Sequence, residues 1–418
     1  MNKTRTFHML LAAQSFSAFG DNAVYSVIMG VLLGLVKGGQ IDLVRFGVES
    51  AVYANCLFMP FVVLAPVLGW IADRYPKKNV LIASNAIKAL GCLLGFAGIL
   101  MGANTMIFSY LMIGTGAAVY SPAKYGIIPE LKDEEGLVRA NAAVEMTTIF
   151  SILTGIVCGG LLIDTIGAAR SYFVLFAVYL VSIFLNSRMD NSQRCNRDEK
   201  FVRVLHEFKG TLSTIFSSRY LYVPVFGAVI FWSSASFVKL NLQTWAQQVV
   251  KLTTATEISL LALWLSIGII IGSLIAGTRF KTGQIWKSWI FGSLMGLCIL
   301  LIVLAYAGYG VLVGELVVLG ILGGLFVVPF NAAIQARSEA RRIGKVIAVQ
   351  NFFENGAMLS STGLFWALNK LALSPVVTFA VVGFILLLVN LFWLRPSLKA
   401  GLTVVTAGAS GGSCTQNL

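Results

Sequence analysis

The chain has 418 residues, of which 57% are hydrophobic and only 12% charged, with a formal net charge of +13 and a mean hydropathy of +0.83. That leaves too little polar surface to coat a water-soluble globule, so the sequence describes a polytopic membrane protein. A nucleic-acid-binding module is excluded too, because the basic residues gather in short segments between apolar runs, where topology and anionic lipid heads account for them.

Apolar runs of 20 or more residues recur at the length that crosses about 30 Å of hydrocarbon as helices. Twelve spans are predicted, over 7–36, 49–72, 79–101, 105–125, 137–164, 168–187, 220–249, 256–280, 285–307, 310–336, 342–369 and 374–394. The first follows Lys3 and Arg5 as a signal peptide would, yet it lacks a small-residue cleavage site and contains Asp21, so it reads as a retained helix. No other charge lies between Arg5 and Lys37. An ionised carboxylate at that depth needs a polar partner or a wet cavity. Asp21, with Asn22 and Tyr25 beside it, is a candidate substrate-binding group.

Span two ends in Gly69-Trp-Ile-Ala-Asp-Arg-Tyr-Pro-Lys-Lys78. There Gly69 permits close helix approach, and Asp73 with Arg74 is expected to form an ion-pair latch that holds one conformation. Lys88, mid-span three, is an intramembrane charge whose role is open, with pairing to one of the acids as one answer. Lys124 near the end of span four and Glu145, nine residues into span five, are expected to pair as an inner gate. The glycines at 155, 159 and 160, and at 268 and 272, read as helix-packing positions.

The connection 188–219 carries seven basic residues and divides the chain into an N-terminal bundle over 1–187 and a C-terminal bundle over 220–396, with a polar tail at 397–418. In span seven, Trp232, Ser236, Lys239 and Gln243 recur at helical spacing and form one polar stripe. In span eleven, Glu354 shares a face with Gln350, and Asn351 with Asn355. Facing lipid, such stripes would be very unfavourable, so they are expected to line a cavity. At 1.5 Å per residue, Asp21 lies roughly 21 Å into its span, Glu354 roughly 17 Å, and Lys239 roughly 14 Å from the far end of its own.

Charge placement gives an orientation. If the N-terminus is cytoplasmic and basic residues in the end turns of spans are counted with the adjoining loops, the outward side holds only Lys37, Arg45, Arg170, Lys251 and Lys370, while Lys88, Lys124 and Lys239 are counted within spans. The remaining 23 of the 31 Lys and Arg are then inside, so both termini are expected to face the cytoplasm. Cys56, Cys92, Cys158 and Cys298 fall in spans, Cys195 in the linker and Cys414 in the tail, and no structural disulfide is expected.

An internal repeat supports two halves. Gly116-Ala-Ala-Val-Tyr-Ser-Pro122 is echoed by Gly323-Gly-Leu-Phe-Val-Val-Pro329, and Asn141–Glu145 by Gln350–Glu354, in corresponding spans. Duplicated halves are a transporter architecture, with the cargo site expected between them near mid-depth.

The segment Gly69–Lys78 resembles the signature of the major facilitator superfamily. The corresponding second-half loop, Gly272–Arg279, lacks the acid. Within that superfamily, Phe16–Ala23, Gly116–Gly126 and Ile347–Met358 together resemble the bacterial lysophospholipid transporters, in order from about residue 8 to 395. The resemblance implies an all-α membrane fold of twelve transmembrane helices in two pseudo-symmetric six-helix bundles. It also implies flipping of lysophosphatidylethanolamine and lysophosphatidylglycerol from the outer to the inner leaflet of the bacterial inner membrane by alternating access. In that packing, spans one and seven face a central cavity and span eleven lies close by. The family often carries arginine where this chain has Lys239, which leaves the charge but removes the bidentate fork.

A zwitterionic phosphoethanolamine head needs a cation for its phosphate and an anion for its ammonium, which Lys239, Asp21 and Glu354 would supply. Catalysis and cofactors are not expected. No glycine stands five residues before Gly344-Lys345, so the Walker pattern fails, and Ala13 and Thr211 stand five residues after His8 and His206, where the His-x-x-x-x-Asp signature of lysophospholipid acyltransferases needs an acid. Two histidines give no metal-ligand spacing. The expected partners are the lysophospholipid substrate, membrane lipids and a functionally linked, separate acyltransferase, with no nucleic acid. Two rivals use the same sequence features: a proton-coupled exporter of amphipathic drugs, and a lipid-binding receptor or scaffold that transports nothing.

Overall fold

The computed structural model describes residues 2–101, 105–190, 203–252, 255–280, 282–304, 306–339, 342–371 and 373–398. Thirteen α-helices run through these residues: α1 (Lys3–Lys37), α2 (Leu43–Val63), α3 (Ala65–Arg74), α4 (Lys77–Leu100), α5 (Met106–Leu131), α6 (Leu137–Ser187), α7 (Val204–Ser217), α8 (Arg219–Trp245), α9 (Ala255–Arg279), α10 (Ser288–Leu304), α11 (Tyr309–Arg337), α12 (Ile343–Lys370) and α13 (Pro375–Leu388). Two compact units emerge, one from the described residues of Met1–Leu212 and Ser338–Leu359, the other from those of Ser213–Arg337 and Ser360–Leu418. The first part of α12 thus groups with the N-terminal helices.

Among the described residues nine helices are long and apolar enough to cross a membrane, and α2 with α3 forms a tenth span bent by 64°. The expectation of one continuous second span is corrected here. Pro60 lies inside α2 and Pro66 opens α3, so the missing N–H groups interrupt the ladder at Leu64. The predicted spans five and six are joined in the 51-residue α6, where Gly167 breaks the helix with φ 76° and ψ 169°. Only glycine reaches that backbone region without strain. The predicted span eleven is the 28-residue α12, long enough to cross but made polar by Gln350, Asn351, Glu354 and Asn355. Read this way, every predicted span has its helix, and α7 is an added helix within the 188–219 connection.

In the first unit, α1 lies along α6 because glycines on α6 remove the intervening side chains. A Cβ on Gly155 would come within 2.5 Å of the Phe19 carbonyl oxygen, and Gly159 packs against Ala23 in the same way. Val24, Val27 and Ile28 of α1, Cys92 of α4, Tyr110 and Ile113 of α5, and Tyr172 and Leu175 of α6 form the buried centre. In the second unit, Gly268 on α9 and Gly320 on α11 bring two backbones together, a Cβ on Gly320 falling 2.8 Å from the Gly268 Cα. Cys56, Cys92, Cys158 and Cys298 are free thiols, and Cys195 and Cys414 lie outside the described residues.

Candidate functional site

Asp21 is buried on α1 and has both carboxylate oxygens engaged. Lys88 Nζ of α4 donates to Oδ2 at 2.7 Å, and the Tyr179 hydroxyl of α6 donates to Oδ1 at 2.8 Å. Lys88 also donates to Ser17 Oγ at 2.8 Å, one turn before Asp21 on the same helix face. From Ser17 the bonds continue to Asn85 Oδ1 at 2.7 Å, from Asn85 to Ser182 Oγ at 3.0 Å, and from Ser182 to the Ala13 carbonyl at 2.7 Å. Three helices therefore share one polar layer inside an apolar bundle. A buried ion pair is tolerated when further hydrogen bonds support it, and here Ser17 and Tyr179 provide them. Lys88, open in the sequence, is the partner of Asp21. Asn22 turns back to the Ala18 carbonyl at 2.8 Å, and the half-buried Tyr25 ring packs 5.8 Å from Tyr110.

The polar face of α12 is buried in the first unit. Gln350 donates to Glu354 Oε1 at 2.7 Å, Asn355 to the Asn351 carbonyl at 2.8 Å, and Asn351 to Ser121 Oγ on α5 at 2.9 Å. Lys124 and Glu145 do not form the direct ion pair expected for an inner gate. The Lys124 ammonium instead sits 4.3 Å from the ring centroid of Tyr125, and Glu145 Oε1 is buried with no hydrogen-bond partner among the described residues. A short reach onto an adjacent aromatic face satisfies the cation without bridging to α6.

Lys239 lies on α8 in the second unit. It is exposed and makes no ion pair or hydrogen bond among the described residues, while Trp232 and Ser236 on its stripe are half-buried. The Gln243 side chain lies outside the described residues. Next to Lys239 the helix is anchored firmly: Asn241 donates to the Pro375 carbonyl at 3.1 Å and accepts from Thr378 Oγ1 at 3.1 Å. A cation with no bond to the described residues, on a fixed support, can meet an anion without first breaking one.

The latch at Gly69–Lys78 is built differently from the expected Asp73–Arg74 pair. Neighbours at i and i+1 point apart on a helix, so the two side chains diverge. Arg74 lies over Trp70 and Tyr75, 5.3 and 5.9 Å from the ring centroids. Asp73, only 2% exposed, accepts the backbone N–H groups of Gly344 at 2.7 Å and Lys345 at 3.0 Å. These belong to the first turn of α12, which has no intrahelical acceptors of its own and carries the positive end of the helix dipole. Gly69 allows the approach, since a Cβ there would lie 2.8 Å from the Lys345 Cα. Lys77 pairs with Glu130 of α5 at 2.8 Å, both buried, and Lys345 pairs with Glu207 of α7 at 3.0 Å. The hydrogen bond from Lys345 holds the Glu207 carboxyl below its ordinary range.

Sequence reasoning missed Tyr179, Asn85 and Ser182 as partners of the Asp21 layer, and Glu130 and Glu207 as partners of the lysines. Each is an ordinary residue of its helix, and only packing brings it to a charge. Asn85 and Lys88 on α4, and Tyr179 and Ser182 on α6, are spaced i and i+3, which is the one sequence signal that placed them on common faces.

Residues 10–362 match the family model described as Major Facilitator Superfamily. A curated protein from Photorhabdus laumondii named lysophospholipid transporter LplT is 31% identical over 378 residues, covering 90% of this chain and 91% of the relative. One of the same name from Pectobacterium carotovorum is 32% identical over 380 residues, covering 89% of each. Among solved structures, a bacterial homologue of the iron transporter ferroportin in an outward-facing state aligns with a TM-score of 0.75 at 16% identity, covering 95% of this chain and 99% of the other. The transporter FucP in its outward conformation aligns with a TM-score of 0.73 at 13% identity and the same coverages. At such identities the likeness concerns the fold. The family match, the relatives spanning nearly the whole chain and the all-helical membrane fold agree, and the chain belongs to the major facilitator superfamily as a transporter rather than an enzyme.

Proposed function

We propose that this transporter moves lysophospholipids, chiefly lysophosphatidylethanolamine and lysophosphatidylglycerol, from the outer to the inner leaflet of the bacterial cytoplasmic membrane by alternating access. Both termini face the cytoplasm in this reading, which rests on the Lys and Arg distribution. Two six-helix halves, 1–187 and 220–396, are joined by the 188–219 segment. The observation that carries the proposal is Lys239, an exposed cation with no ion pair or hydrogen bond among the described residues, in an apolar helix of a chain whose relatives are named for lysophospholipid transport.

Lys239 takes the lipid phosphate, and Gln243 stands on its stripe. The buried Gln350–Glu354 pair, flanked by Asn351 and Asn355, offers a carboxylate to an ethanolamine ammonium. Asp21 answers the same ammonium only by exchanging Lys88 for it, because both of its oxygens are already bonded. Gly69, Asp73, Arg74, Lys124 and Glu145 serve conformational roles. Keeping the acyl chain in apolar surroundings is worth about 0.8 kcal/mol per CH₂, so the head alone needs polar partners during passage. A separate acyltransferase would consume the delivered lysolipid.

The test is uptake of labelled lysophosphatidylethanolamine by proteoliposomes with and without an imposed proton gradient. Flux of the lysolipid is expected. Binding without flux would favour a receptor, and export of amphipathic drugs driven by the gradient in place of lysolipid flux would favour the exporter.

A further inference from the structure

Three membrane-spanning helices end around one cavity of about 510 Å³. It lies within the roughly 300–1,000 Å³ typical of ligand pockets. Phe7 and Leu11 come from the first turns of α1, Lys132 and Asp133 follow the end of α5, and Arg139, Ala140 and Ala143 belong to the first turns of α6. The ends of apolar helices mark the level at which hydrocarbon gives way to headgroups. Asp21 stands ten residues further along α1 than Leu11, about 15 Å away along the helix axis, so the cavity is distinct from the groups assigned to the substrate.

Its lining is divided in two. Phe7, Leu11, Ala140 and Ala143 make an apolar wall, of which Phe7 and Ala140 are buried. His8, Lys132 and Arg139 make a basic rim. The one carboxylate in the lining, Asp133, is turned back on its own loop, where it accepts the Gly136 N–H at 3.1 Å. Lys132 Nζ lies 4.8 Å from the Phe7 ring centroid, and neither it nor the exposed Arg139 has an acidic partner among the described residues. Two positive charges with no ion pair among the described residues, beside an apolar wall, complement an anionic head that carries a hydrocarbon chain. A soluble anion would leave the wall unused, and a neutral lipid would leave the cations unanswered.

We propose that this cavity binds one anionic phospholipid of the surrounding bilayer, its phosphate against Lys132 and Arg139 and the first carbons of an acyl chain against Phe7, Leu11 and Ala143. The site holds a resident lipid, independent of whichever molecule the transporter carries.

The experiment is native mass spectrometry of the full-length chain in detergent, titrated with phosphatidylglycerol, with phosphatidylcholine of the same acyl chains, and with inorganic phosphate as a competitor. One phosphatidylglycerol should be retained in preference to phosphatidylcholine. Replacing Lys132→Gln and Arg139→Gln together should weaken it by about fivefold for each cation removed, the loss expected for one Lys or Arg near an anionic lipid. The control pair Lys3→Gln and Lys209→Gln, with the same change in net charge, should leave it unaltered. Ala143→Leu, which fills the wall without changing charge, should weaken both lipids. Equal retention of the two lipids, an equal loss in the control pair, or displacement of phosphatidylglycerol by inorganic phosphate would each overturn the proposal.

Discussion

Replacing Asp73 by asparagine removes a charge from a position where two backbone N–H groups converge. In the native chain the carboxylate accepts from Gly344 at 2.7 Å and from Lys345 at 3.0 Å. Hydrogen bonds to a charged group contribute about 1.5–3 kcal/mol each. Asparagine keeps one acceptor and opposes its own NH₂ to the second N–H, so one such bond is lost and one buried donor is orphaned. The expected cost is about 2–3 kcal/mol. At about 1.4 kcal/mol per factor of ten, local opening of the first turn of α12 should rise roughly 30- to 150-fold. Hydrogen exchange followed by mass spectrometry would read this in a peptide covering residues 343–350. A peptide covering residues 85–95, which holds Lys88, reports on overall folding and should not change. Exchange at 343–350 within threefold of the unmutated protein would refute the claim that Asp73 holds this helix end.

Lys88→Met should be strongly destabilising, by about 3–5 kcal/mol, because it strands the buried Asp21 carboxylate. Adding Asp21→Asn should recover part of the loss, as read in thermal unfolding of the single and double variants. Lys239→Ala should reduce transport of every phosphate-bearing lysolipid tenfold or more, taken as about 1.5–3 kcal/mol for a hydrogen bond to a charged group, with thermal stability unchanged because the residue bonds to no partner among the described residues. Glu354→Gln should harm lysophosphatidylethanolamine uptake more than lysophosphatidylglycerol uptake, and equal losses would indicate a structural role. Glu207 is a carboxylate held low in the folded chain, so its contribution is present above the ordinary carboxylate range and is lost as pH falls through its depressed value. The melting difference between the unmutated chain and Glu207→Gln, at most about 1 kcal/mol because the Glu207 side chain is 35% exposed, should vanish under strong acid and persist at pH 6.

The fold was legible because hydropathy needs no tertiary information. Each apolar run became a helix, and the failures came where local chemistry cut the run, as at Pro60 and Pro66 or at Gly167. Asp21 was legible as an anomaly, since a lone acid in a long apolar stretch demands a partner, but Lys88 could be matched to it only by packing across 67 positions. Asp73 shows a different limit. Its motif was visible, yet its partners are backbone amides 271 and 272 positions away, and amides leave no mark in a sequence. Lys124 and Glu145 were adjacent in reach but not in preference, because the ring next to the lysine offered a nearer contact.

The Asp21–Lys88 pair also bears on biogenesis. Translation delivers the acid first, and the lysine follows 67 residues later. At about 5–20 residues per second, roughly 3–13 s separate the two. During that interval the opening helix holds an unmatched acid, for which an insertion penalty of about 2.5–3.5 kcal/mol applies at its centre. It must therefore wait at the translocon until the third hydrophobic segment emerges. Delaying that segment with a pause-inducing stretch of codons should lengthen the time for which the nascent chain can be crosslinked to the insertion machinery.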